Sequence, residues 1–571
     1  MLLICSRISL ASLLLALTLP FLGAHHRLPI ATFHQEWLAA TLGLTALLAL
    51  VLGSTRNTGN TWAIPRLALL PLAFIVLAWL QFASGMDVLY ESIVLLSLYL
   101  AWAFLLMLTA ASLLQTLGRD LFASALAWSL LAGALLLAAT GALQHWVTWI
   151  GLPYIFPSST LIGNIAQANS FADYLWIGIA CALYLFAIGK IPYPAALAAI
   201  TPLLALSLLS GSRSVYFYAM ALSIWLGLWA ATAHGLMRRR LLLSAIGLLP
   251  LLFLVQWLSG LQGSSISSAQ RLVEQGSYDP VRLTLWRAAI EIFLEQPLLG
   301  AGFDSFSRMF YARIQHFPIN GAGIPEHSHN LLTELLAEFG LAGCLLLLVA
   351  LIYWLIKLRP RSDTTKFLTL GILLIPGIHS MLEYPLWYAH FLAVAVVALS
   401  LGDDRPWLIH IGLRHRLMAT AIVLAGLLTL FNLRTDYIEL ENAAQGHSYE
   451  SRLISAEEQR ESLLRIYTHS LLRPYAALQF AARMPIESQD LKLRIELMRE
   501  ARHFSPIRQA LFREAALLQL DGQQEAARQQ LQQAMRSYPN EIPATLRLFR
   551  ELEQSEPALA PLIAQLDQRS F

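Results

Sequence analysis

Two imidazoles, an amide and a carboxylate fall within one short segment, Glu326-His327-Ser328-His329-Asn330. The segment closes a polar stretch of roughly 70 residues between two long apolar runs. Histidine is the side chain whose ordinary pKa permits proton transfer near neutral pH, so His329, with His327 second, is the leading candidate for chemistry. The same residues are also compatible with a simple helix start, because Ser and Asn are good N-caps.

A second candidate is Arg213, in the segment Ser210-Gly211-Ser212-Arg213-Ser214 at the edge of an apolar run. Arginine is unfavourable near a bilayer and therefore asks for a reason. Its guanidinium presents a fixed fork of donors that matches phosphate oxygens, and Gly211 would let backbone amides approach the same anion. We predict a phosphate ligand here; the alternative is an arginine that snorkels to lipid head groups.

Further basic residues outside the short inner loops fall into two groups. Arg282 and Arg27 are predicted to be additional cations for the same anionic ligand. For Arg287, Arg308 and Arg313 a solvated or ion-paired surface role is predicted.

Composition defines the class of protein. Of the 571 residues 57% are hydrophobic and only 13% are charged, and the mean hydropathy is +0.57. A soluble enzyme has a charged share nearer a quarter, so the chain is predicted to be a polytopic membrane protein. The net charge of +3 is too small to indicate nucleic-acid binding. Three cysteines, Cys5, Cys181 and Cys344, lie in apolar runs without metal-ligand spacing, which predicts neither disulfide nor zinc site.

Apolar runs long enough to cross the hydrocarbon core occur about thirteen times. They lie at about 6–22, 37–53, 65–82, 91–113, 121–142, 171–189, 192–209, 214–232, 241–258, 331–356, 367–383, 385–401 and 415–431. Basic residues of the short loops sort to one side, Arg66, Arg119, Arg238, Lys357, Lys366 and Arg405 among them. By the positive-inside rule, this side is cytoplasmic. The large loop, about 259–330, and everything after Phe431 are then outside, in the periplasm of a double-membrane bacterium.

The composition becomes charged and rich in Gln and Ala from about Asn432. We therefore predict a transmembrane domain over 1–431 and a soluble periplasmic helical domain over 432–571. Residues 506–520 and 524–538, separated at Gly522, are typical of two amphipathic helices in a tetratricopeptide-type hairpin. Residues 463–483 and 491–503 are candidates for a second hairpin, and a generic helical domain is the alternative. Such a domain would grip a protein partner or steady the loop above the membrane.

No P-loop, acid-rich metal cluster or Ser nucleophile elbow occurs in the sequence. The Gly300-Ala301-Gly302 segment is not a nucleotide fingerprint, because no strand precedes it and no further glycine follows at the required spacing. A group transfer at an outward-facing site without ATP needs a substrate that arrives already activated.

Several segments together resemble a known family. Arg282-Leu-Thr-Leu-Trp286, Pro297-Leu-Leu-Gly-Ala-Gly302 and His327-Ser-His329-Asn330 resemble the O-antigen ligase and polymerase superfamily, which moves glycans from undecaprenyl diphosphate at the periplasmic face. More specific segments, in the order that the family shows, are 28–36, Gly163-Asn-Ile-Ala-Gln-Ala-Asn169 and His379-Ser-Met-Leu-Glu-Tyr-Pro-Leu-Trp-Tyr388. These are similar to bacterial protein O-oligosaccharyltransferases, which glycosylate pilins and other periplasmic proteins. Ala168 departs from the family, which usually has proline there.

The resemblance implies transfer without a metal or other cofactor. Arg213, Arg282 and then Arg27 would stabilise the leaving diphosphate. His329, or else His327, would orient or deprotonate the acceptor hydroxyl. Further contacts are assigned to Glu383 and Tyr384, which hold His329 or a sugar hydroxyl or else form a helix junction, and to Gln167, Asn164 and Asn169, which contact the donor or else cap the next span.

Three functions remain open from the sequence. The leading one is transfer of an oligosaccharide from undecaprenyl diphosphate to Ser or Thr of an exported protein such as a pilin, at the bacterial inner membrane. The second is ligation of the glycan to a lipid A core, or its polymerisation. The third, a lipid-linked glycan flippase, is disfavoured by the odd number of spans and the lack of paired broken helices.

Overall fold

The computed structural model describes residues 2–53, 61–147, 154–260, 280–317, 323–358, 363–448 and 451–568. The predicted large loop therefore lies partly outside the described residues, at 261–279 and 318–322. The helices are α1 (Leu2–Ala16), α2 (Phe33–Gly53), α3 (Leu69–Ala83), α4 (Tyr90–Leu117), α5 (Arg119–Trp146), α6 (Ala168–Ala187), α7 (Tyr193–Leu209), α8 (Ser214–Thr232), α9 (Gly235–Gly260), α10 (Pro280–Glu295), α11 (Phe306–Ala312), α12 (Leu331–Leu358), α13 (Thr364–His379), α14 (Ala389–Gly402), α15 (Leu413–Gln445), α16 (Ala456–His469), α17 (Arg473–Arg483), α18 (Leu491–Phe504), α19 (Arg508–Leu520), α20 (Gln524–Ser537), α21 (Ile542–Leu552) and α22 (Ala560–Asp567).

Two short strands complete the fold, β1 (Thr61–Ile64) and β2 (Trp407–His410). They pair antiparallel, with Thr61 opposite His410 and Ile64 opposite Trp407. Hydropathy alone gave no sign of this sheet. The predicted all-α polytopic fold is confirmed, with the two-stranded sheet as a small addition.

Ten helices among the described residues are long and apolar enough to cross a membrane. Three more apolar helices, α7, α13 and α14, are shorter. Each of the thirteen predicted spans falls on one of these helices, so the chain is a multi-pass membrane protein. The count of thirteen stays a prediction, because it requires the three short helices to cross as well.

Packing divides the chain into two compact units. The first unit comprises residues 1–74, 98–279 and 346–431, and the second comprises 75–97, 280–345 and 432–571. The last piece of the second unit begins where the composition changes. The proposed domains 1–431 and 432–571 stay a prediction, since the second unit also takes in two earlier segments.

Helix α6 is the centre of the first unit. The apolar stretch of α6 that is long enough to cross a membrane is entirely buried. Its residues Phe171, Tyr174 and Trp176 have no exposed surface. A helix that is apolar all round is stable only when other helices cover it. Helix α5 comes so close that a Cβ on Gly178 would collide with Ala134. Polar groups on α6 are therefore held in fixed positions.

In the second unit, the Gly300-Ala301-Gly302 segment runs along a break in α12. The break is at Gly340, whose φ of 60° lies in the left-handed region that favours glycine. The Ala301 N–H donates to the carbonyl of Ala337 at 2.8 Å. A Cβ on Gly340 would lie 2.6 Å from the backbone nitrogen of Gly300. Gly300 and Gly340 are thus needed because the two backbones approach too closely for a side chain. This packing accounts for the glycines without a nucleotide site.

The C-terminal part of the second unit is a series of short helices. Helices α19 and α20, joined at Gly522, confirm the predicted hairpin, and Ala515, Ala516 and Ala527 are buried within it. Residues 463–483 lie on two helices, because α16 ends at His469 and α17 begins at Arg473. Pro474 at the start of α17 lacks the N–H that a continuous helix would require. The tetratricopeptide assignment stays a prediction.

Candidate active site

The first unit brings three polar side chains from separate elements together at the start of α6. The Asn169 amide donates to a carboxylate oxygen of Glu383 at 3.2 Å, and the Ser212 hydroxyl donates to the Asn169 carbonyl oxygen at 2.8 Å. Glu383 lies in the turn between α13 and α14, and Ser212 in the turn between α7 and α8. Asn169 is therefore a hub between two turns that the sequence analysis treated separately.

Arg213 directly follows Ser212 and lies at the start of α8. Its side chain is half-buried between the buried residues Ser212 and Ser214. The preceding Gly211 has a φ of 77°, which turns the chain sharply between the two helices. Arg213 is thus one residue away from the hydrogen bond to Asn169, and its assignment to phosphate binding stays a prediction.

One turn further along α6, a second polar pair was missed by the sequence analysis. The His379 Nδ1 atom lies 2.8 Å from the Asp173 Oδ2 atom, and both side chains are almost fully buried. Asp173 Oδ1 and His379 Nε2 have no hydrogen-bond partner among the described residues. An acid and an imidazole buried within apolar helices are a signal of function, and both residue types are visible in the sequence at these positions.

Asn164 and Gln167 are engaged in holding the chain before α6. The Asn164 amide nitrogen donates to the carbonyls of Leu22 and Tyr154 at 2.8 and 2.9 Å, and its amide oxygen accepts from the Phe156 N–H at 3.1 Å. The Gln167 amide oxygen accepts from the Ser170 hydroxyl. These contacts favour a loop-holding role for Asn164. Gln167 stands at the N-cap of α6 without a side-chain capping bond, and donor contact stays a prediction for both residues.

Arg27 is tied to the same region through its neighbour. His26 Nε2 lies 2.6 Å from the backbone carbonyl of Asn164. Burial lowers the pKa of His26, so its ring is neutral at pH 7. Arg27 is half-buried. The nearby rings of His25 and His34 meet edge to face at 4.6 Å.

Tyr384 follows Glu383 and precedes a short turn at Pro385–Trp387. Its ring lies 5.9 Å from that of Tyr388, centroid to centroid. The backbone carbonyl of Leu386 accepts a 2.6 Å hydrogen bond from the Tyr99 hydroxyl. The segment is therefore a helix junction, as the simpler interpretation expects, and the proposed part of Tyr384 in binding stays a prediction.

The histidine segment lies in the second unit. His327 Nδ1 is 2.9 Å from a carboxylate oxygen of Glu334, and the other oxygen accepts from the Ser328 N–H at 2.5 Å. Burial alone would lower the pKa of His327, but Glu334, with Glu338 and Glu326 adding to it, outweighs burial and raises the pKa to about 9. His327 is therefore an imidazolium at neutral pH and cannot accept a further proton.

His329 differs from His327 in its backbone. Its φ of 57° lies in the left-handed region, where a non-glycine residue is uncommon. Asn330 next to it caps α12, since its amide oxygen accepts from the N–H groups of Leu332 and Thr333 at 3.0 and 3.2 Å. The capping alternative therefore holds for Asn330. His329 therefore lies before the first residue of α12, in the turn that caps the helix, and it is half-buried.

Asp304 is a half-buried acid near His327 that the sequence analysis did not single out. It accepts a 2.8 Å hydrogen bond from the Ser92 hydroxyl. Burial raises its pKa to about 6, although Ser92, His327 and Arg308 act in the opposite direction. In the sequence, its neighbours Phe303 and Ser305 do not mark Asp304 as a functional residue.

Arg308 forms an ion pair with Asp87 at 3.9 Å, in keeping with the ion-paired role predicted for it, although its side chain is only 12% exposed. It also donates to the backbone carbonyl of Asp87. Arg313 is ion-paired with Glu295, as expected. Arg282 is half-buried near the start of α10. It belongs to the second unit, as do His327 and His329.

Comparison with known proteins gives three matches. A profile described as "O-Antigen ligase" matches residues 197–348. A second, described as "Virulence factor membrane-bound polymerase, C-terminal", matches residues 367–551. A "General O-oligosaccharyltransferase" of Acinetobacter baylyi is 27% identical over 396 residues, which cover 66% of this chain and 66% of that protein. The match thus spans slightly less than two thirds of the relative's length.

Proposed function

We propose that the chain is a protein O-oligosaccharyltransferase of the O-antigen ligase superfamily. It transfers an oligosaccharide en bloc from undecaprenyl diphosphate to a Ser or Thr hydroxyl of an exported protein, such as a pilin. The observation that carries the proposal is the similarity to the general O-oligosaccharyltransferase. The 396 matched residues must include a substantial part of the predicted transmembrane domain, 1–431.

The reaction forms one bond and breaks one. The acceptor hydroxyl oxygen bonds to the anomeric carbon of the first sugar, while the bond from that carbon to the diphosphate oxygen breaks. Undecaprenyl diphosphate leaves with the electron pair, and the hydroxyl proton passes to a base. Negative charge that builds up on the diphosphate needs positive groups in place beforehand, a role we assign to Arg213, with Arg282 and Arg27 next.

The base is His329 in this proposal. His327 is excluded as a base at neutral pH, since its pairing with Glu334 keeps it protonated. The imidazolium of His327 instead supplies a fixed positive charge in the second unit. His329, whose ring is half-buried and displaced from the helix by its backbone conformation, is the imidazole left to accept the proton.

Glu383 and Asn169 are proposed to bind sugar hydroxyls. The carboxylate is largely buried and already oriented by the Asn169 amide. A preoriented acceptor pair loses little freedom when a hydroxyl binds, so it favours one sugar orientation. Tyr384 would supply an aromatic face beside it.

The second candidate function is ligation of the glycan to a lipid A core, or its polymerisation. It is favoured by the descriptions of the two matching profiles. The chemistry at the donor is the same, and only the acceptor differs.

We place the enzyme in the bacterial inner membrane with its active site and C-terminus periplasmic, on the distribution of basic loops.

The deciding experiment supplies both acceptors to purified protein in detergent. A synthetic undecaprenyl-diphosphate oligosaccharide is incubated with a periplasmic acceptor protein or with lipid A core, and products are weighed by mass spectrometry. We expect a mass increase equal to the whole oligosaccharide on the protein. Glycan only on the lipid core would favour the second candidate. No product with either acceptor, together with movement of the lipid-linked glycan across vesicles, would favour a flippase.

A further inference from the structure

A cluster of cations in the first unit consists of residues that the proposed function does not use. Arg66, Arg119, Lys366 and Arg405 come from four segments that the positive-inside rule assigns to the cytoplasmic face. They meet around the turn at Asp403 and Asp404. Arg119 donates to the backbone carbonyl of Leu401 at 2.6 Å, and the Arg66 N–H donates to Asp403 at 2.9 Å.

A cavity of about 360 Å³ opens in this cluster. Its lining includes Arg66, Tyr353, Lys357, Lys366, Asp404 and Arg405. In all, four basic and two acidic side chains line it. The lining therefore carries an excess of positive charge.

The two acids are already occupied. Asp404 pairs with Arg119 at 3.2 Å and with Lys366. The two oxygens of Asp403 accept from the backbone N–H groups of Arg66 and Arg405, each at 2.9 Å. Asp404 is therefore shared between two cations, and the four basic side chains of the lining outnumber its two acids.

Three of the cations have no carboxylate partner among the described residues. Arg66 donates to the Tyr353 hydroxyl at 2.8 Å, and its buried Nε has no hydrogen-bond partner in the described part of the chain. The Lys357 ammonium lies over the Tyr353 ring at 5.8 Å. The Arg405 side chain also lines the cavity, and it forms no ion pair with a carboxylate of the described residues. An anion is the ligand that this arrangement lacks.

Apolar surface adjoins the same cavity. Strand β2 places Trp407, Leu408 and Ile409 at the surface, 43%, 56% and 44% exposed. Ile356, which lines the cavity, is also exposed. The Arg66 guanidinium lies 5.9 Å from the Trp407 ring centre. Tryptophan and aliphatic side chains beside cations are typical of the membrane–water interface, where a lipid offers both a charged head and an acyl chain.

We propose that this cavity binds the phosphate head group of an anionic phospholipid, with the acyl chains along Ile356 and the exposed side of β2. Basic pockets between membrane helices on the cytoplasmic side bind such head groups. A free phosphate shares the charge but would gain nothing from the apolar border. The site is separate from glycan transfer and does not depend on the proposed function.

The test uses full-length protein, stripped of lipid in a neutral detergent and titrated with phosphatidylglycerol or phosphatidylcholine. Bound lipid is counted by native mass spectrometry. Wild type should retain phosphatidylglycerol in preference to phosphatidylcholine. The double variant Arg66→Gln/Lys357→Gln should bind phosphatidylglycerol more weakly by on the order of tenfold or more, since each cation near lipid contributes appreciably. The exposed pair Arg238→Gln/Arg239→Gln, also on the predicted cytoplasmic side, serves as matched control and should bind as wild type.

Two further arms keep the outcome clear. The single variant Lys357→Gln changes an exposed side chain and guards against misfolding of the double variant, which thermal unfolding reports. Inorganic phosphate is added as competitor at the lipid concentration. Equal binding by wild type and both cavity variants would overturn the proposal. Complete displacement of the lipid by equimolar phosphate would replace it with a free-phosphate site.

Discussion

The imidazole of His327 lies 2.9 Å from the carboxylate of Glu334, one helical turn into α12. This pair makes stability depend on pH. Because the folded-state pKa of His327, about 9, is above its ordinary value of 6.5, the pair stabilises fully below about pH 6.5. The contribution is lost as pH rises through about 9. We expect the thermal unfolding midpoint of wild type to fall across this window.

Glu334→Gln is the variant that isolates the effect. It keeps the side-chain shape but removes the charge, so the pKa of His327 should drop and the midpoint should vary less between pH 7 and 9.5. His327→Gln should show the same flattening. Unchanged pH dependence in both variants, compared with wild type, would show that another group causes the fall.

The two histidines should respond differently to removal. His329→Ala should reduce transfer by about a hundredfold or more, the usual range for a lost general base, with an unfolding midpoint close to wild type. His327→Ala should instead lower the midpoint, because it leaves Glu334 as a buried carboxylate without its cation. Transfer of a defined glycan and thermal unfolding are measured on the same preparations. Nearly full activity in His329→Ala would return that segment to a purely capping role.

Arg213→Lys tests the phosphate clamp by geometry. Lysine keeps the charge but loses the bidentate fork, so at a diphosphate site transfer should fall by about tenfold or more. Arg287→Lys is the matched control, because Arg287 is exposed on α10; Arg308 is unsuitable since it is buried against Asp87. Both variants are assayed with the same lipid-linked donor. If they behave alike, Arg213 is a membrane anchor and Arg282 and Arg27 become the next positions to change.

The Asp173–His379 pair should be costly to break and tolerable to replace. Asp173→Ala removes one partner and leaves the imidazole buried, which is expected to destabilise by about 3–5 kcal/mol. The double variant Asp173→Leu/His379→Leu removes both polar groups and should be more stable than the single variant. Unfolding midpoints in detergent compare them. A double variant that is stable but inactive would give the pair a part in transfer, whereas one less stable than Asp173→Ala would contradict the expectation.

Orientation is the remaining prediction. Since the basic loops sort to one side, a reporter that is active only in the periplasm should be active when fused after Phe571, and a cytoplasmic reporter should be silent there. Fusions within the loop between α8 and α9 should give the reverse pattern. Strong cytoplasmic signal from the C-terminal fusion would reverse the proposed placement of both units' functional residues.

Most of the helices could be predicted because a membrane span needs a long apolar run, and such runs are visible without any partner. The pairing of His379 with Asp173 could not, since 206 residues separate them and no local pattern joins two residues at that distance. The role of Asn164 was equally hidden. Its residue type suits a ligand contact or a loop bridge, and only the positions of Leu22, Tyr154 and Phe156 favour the second. Glu334 lay close to His327 in sequence, yet the raised pKa depends on the 2.9 Å approach of the two side chains, which spacing along the chain does not reveal.

The interleaving of the second unit bears on how the protein is made. Its segment 280–345 leaves the ribosome before residues 346–431, which belong to the first unit, and only then does 432–571 follow. The apolar core of 280–345 is formed by residues of that segment itself, but Tyr311 is buried among side chains of 432–571. At roughly 5–20 residues per second, Tyr311 therefore waits several seconds for these partners. A nascent chain halted near residue 431 would carry the first core complete but would leave the aromatic ring of Tyr311 uncovered, open to chaperones.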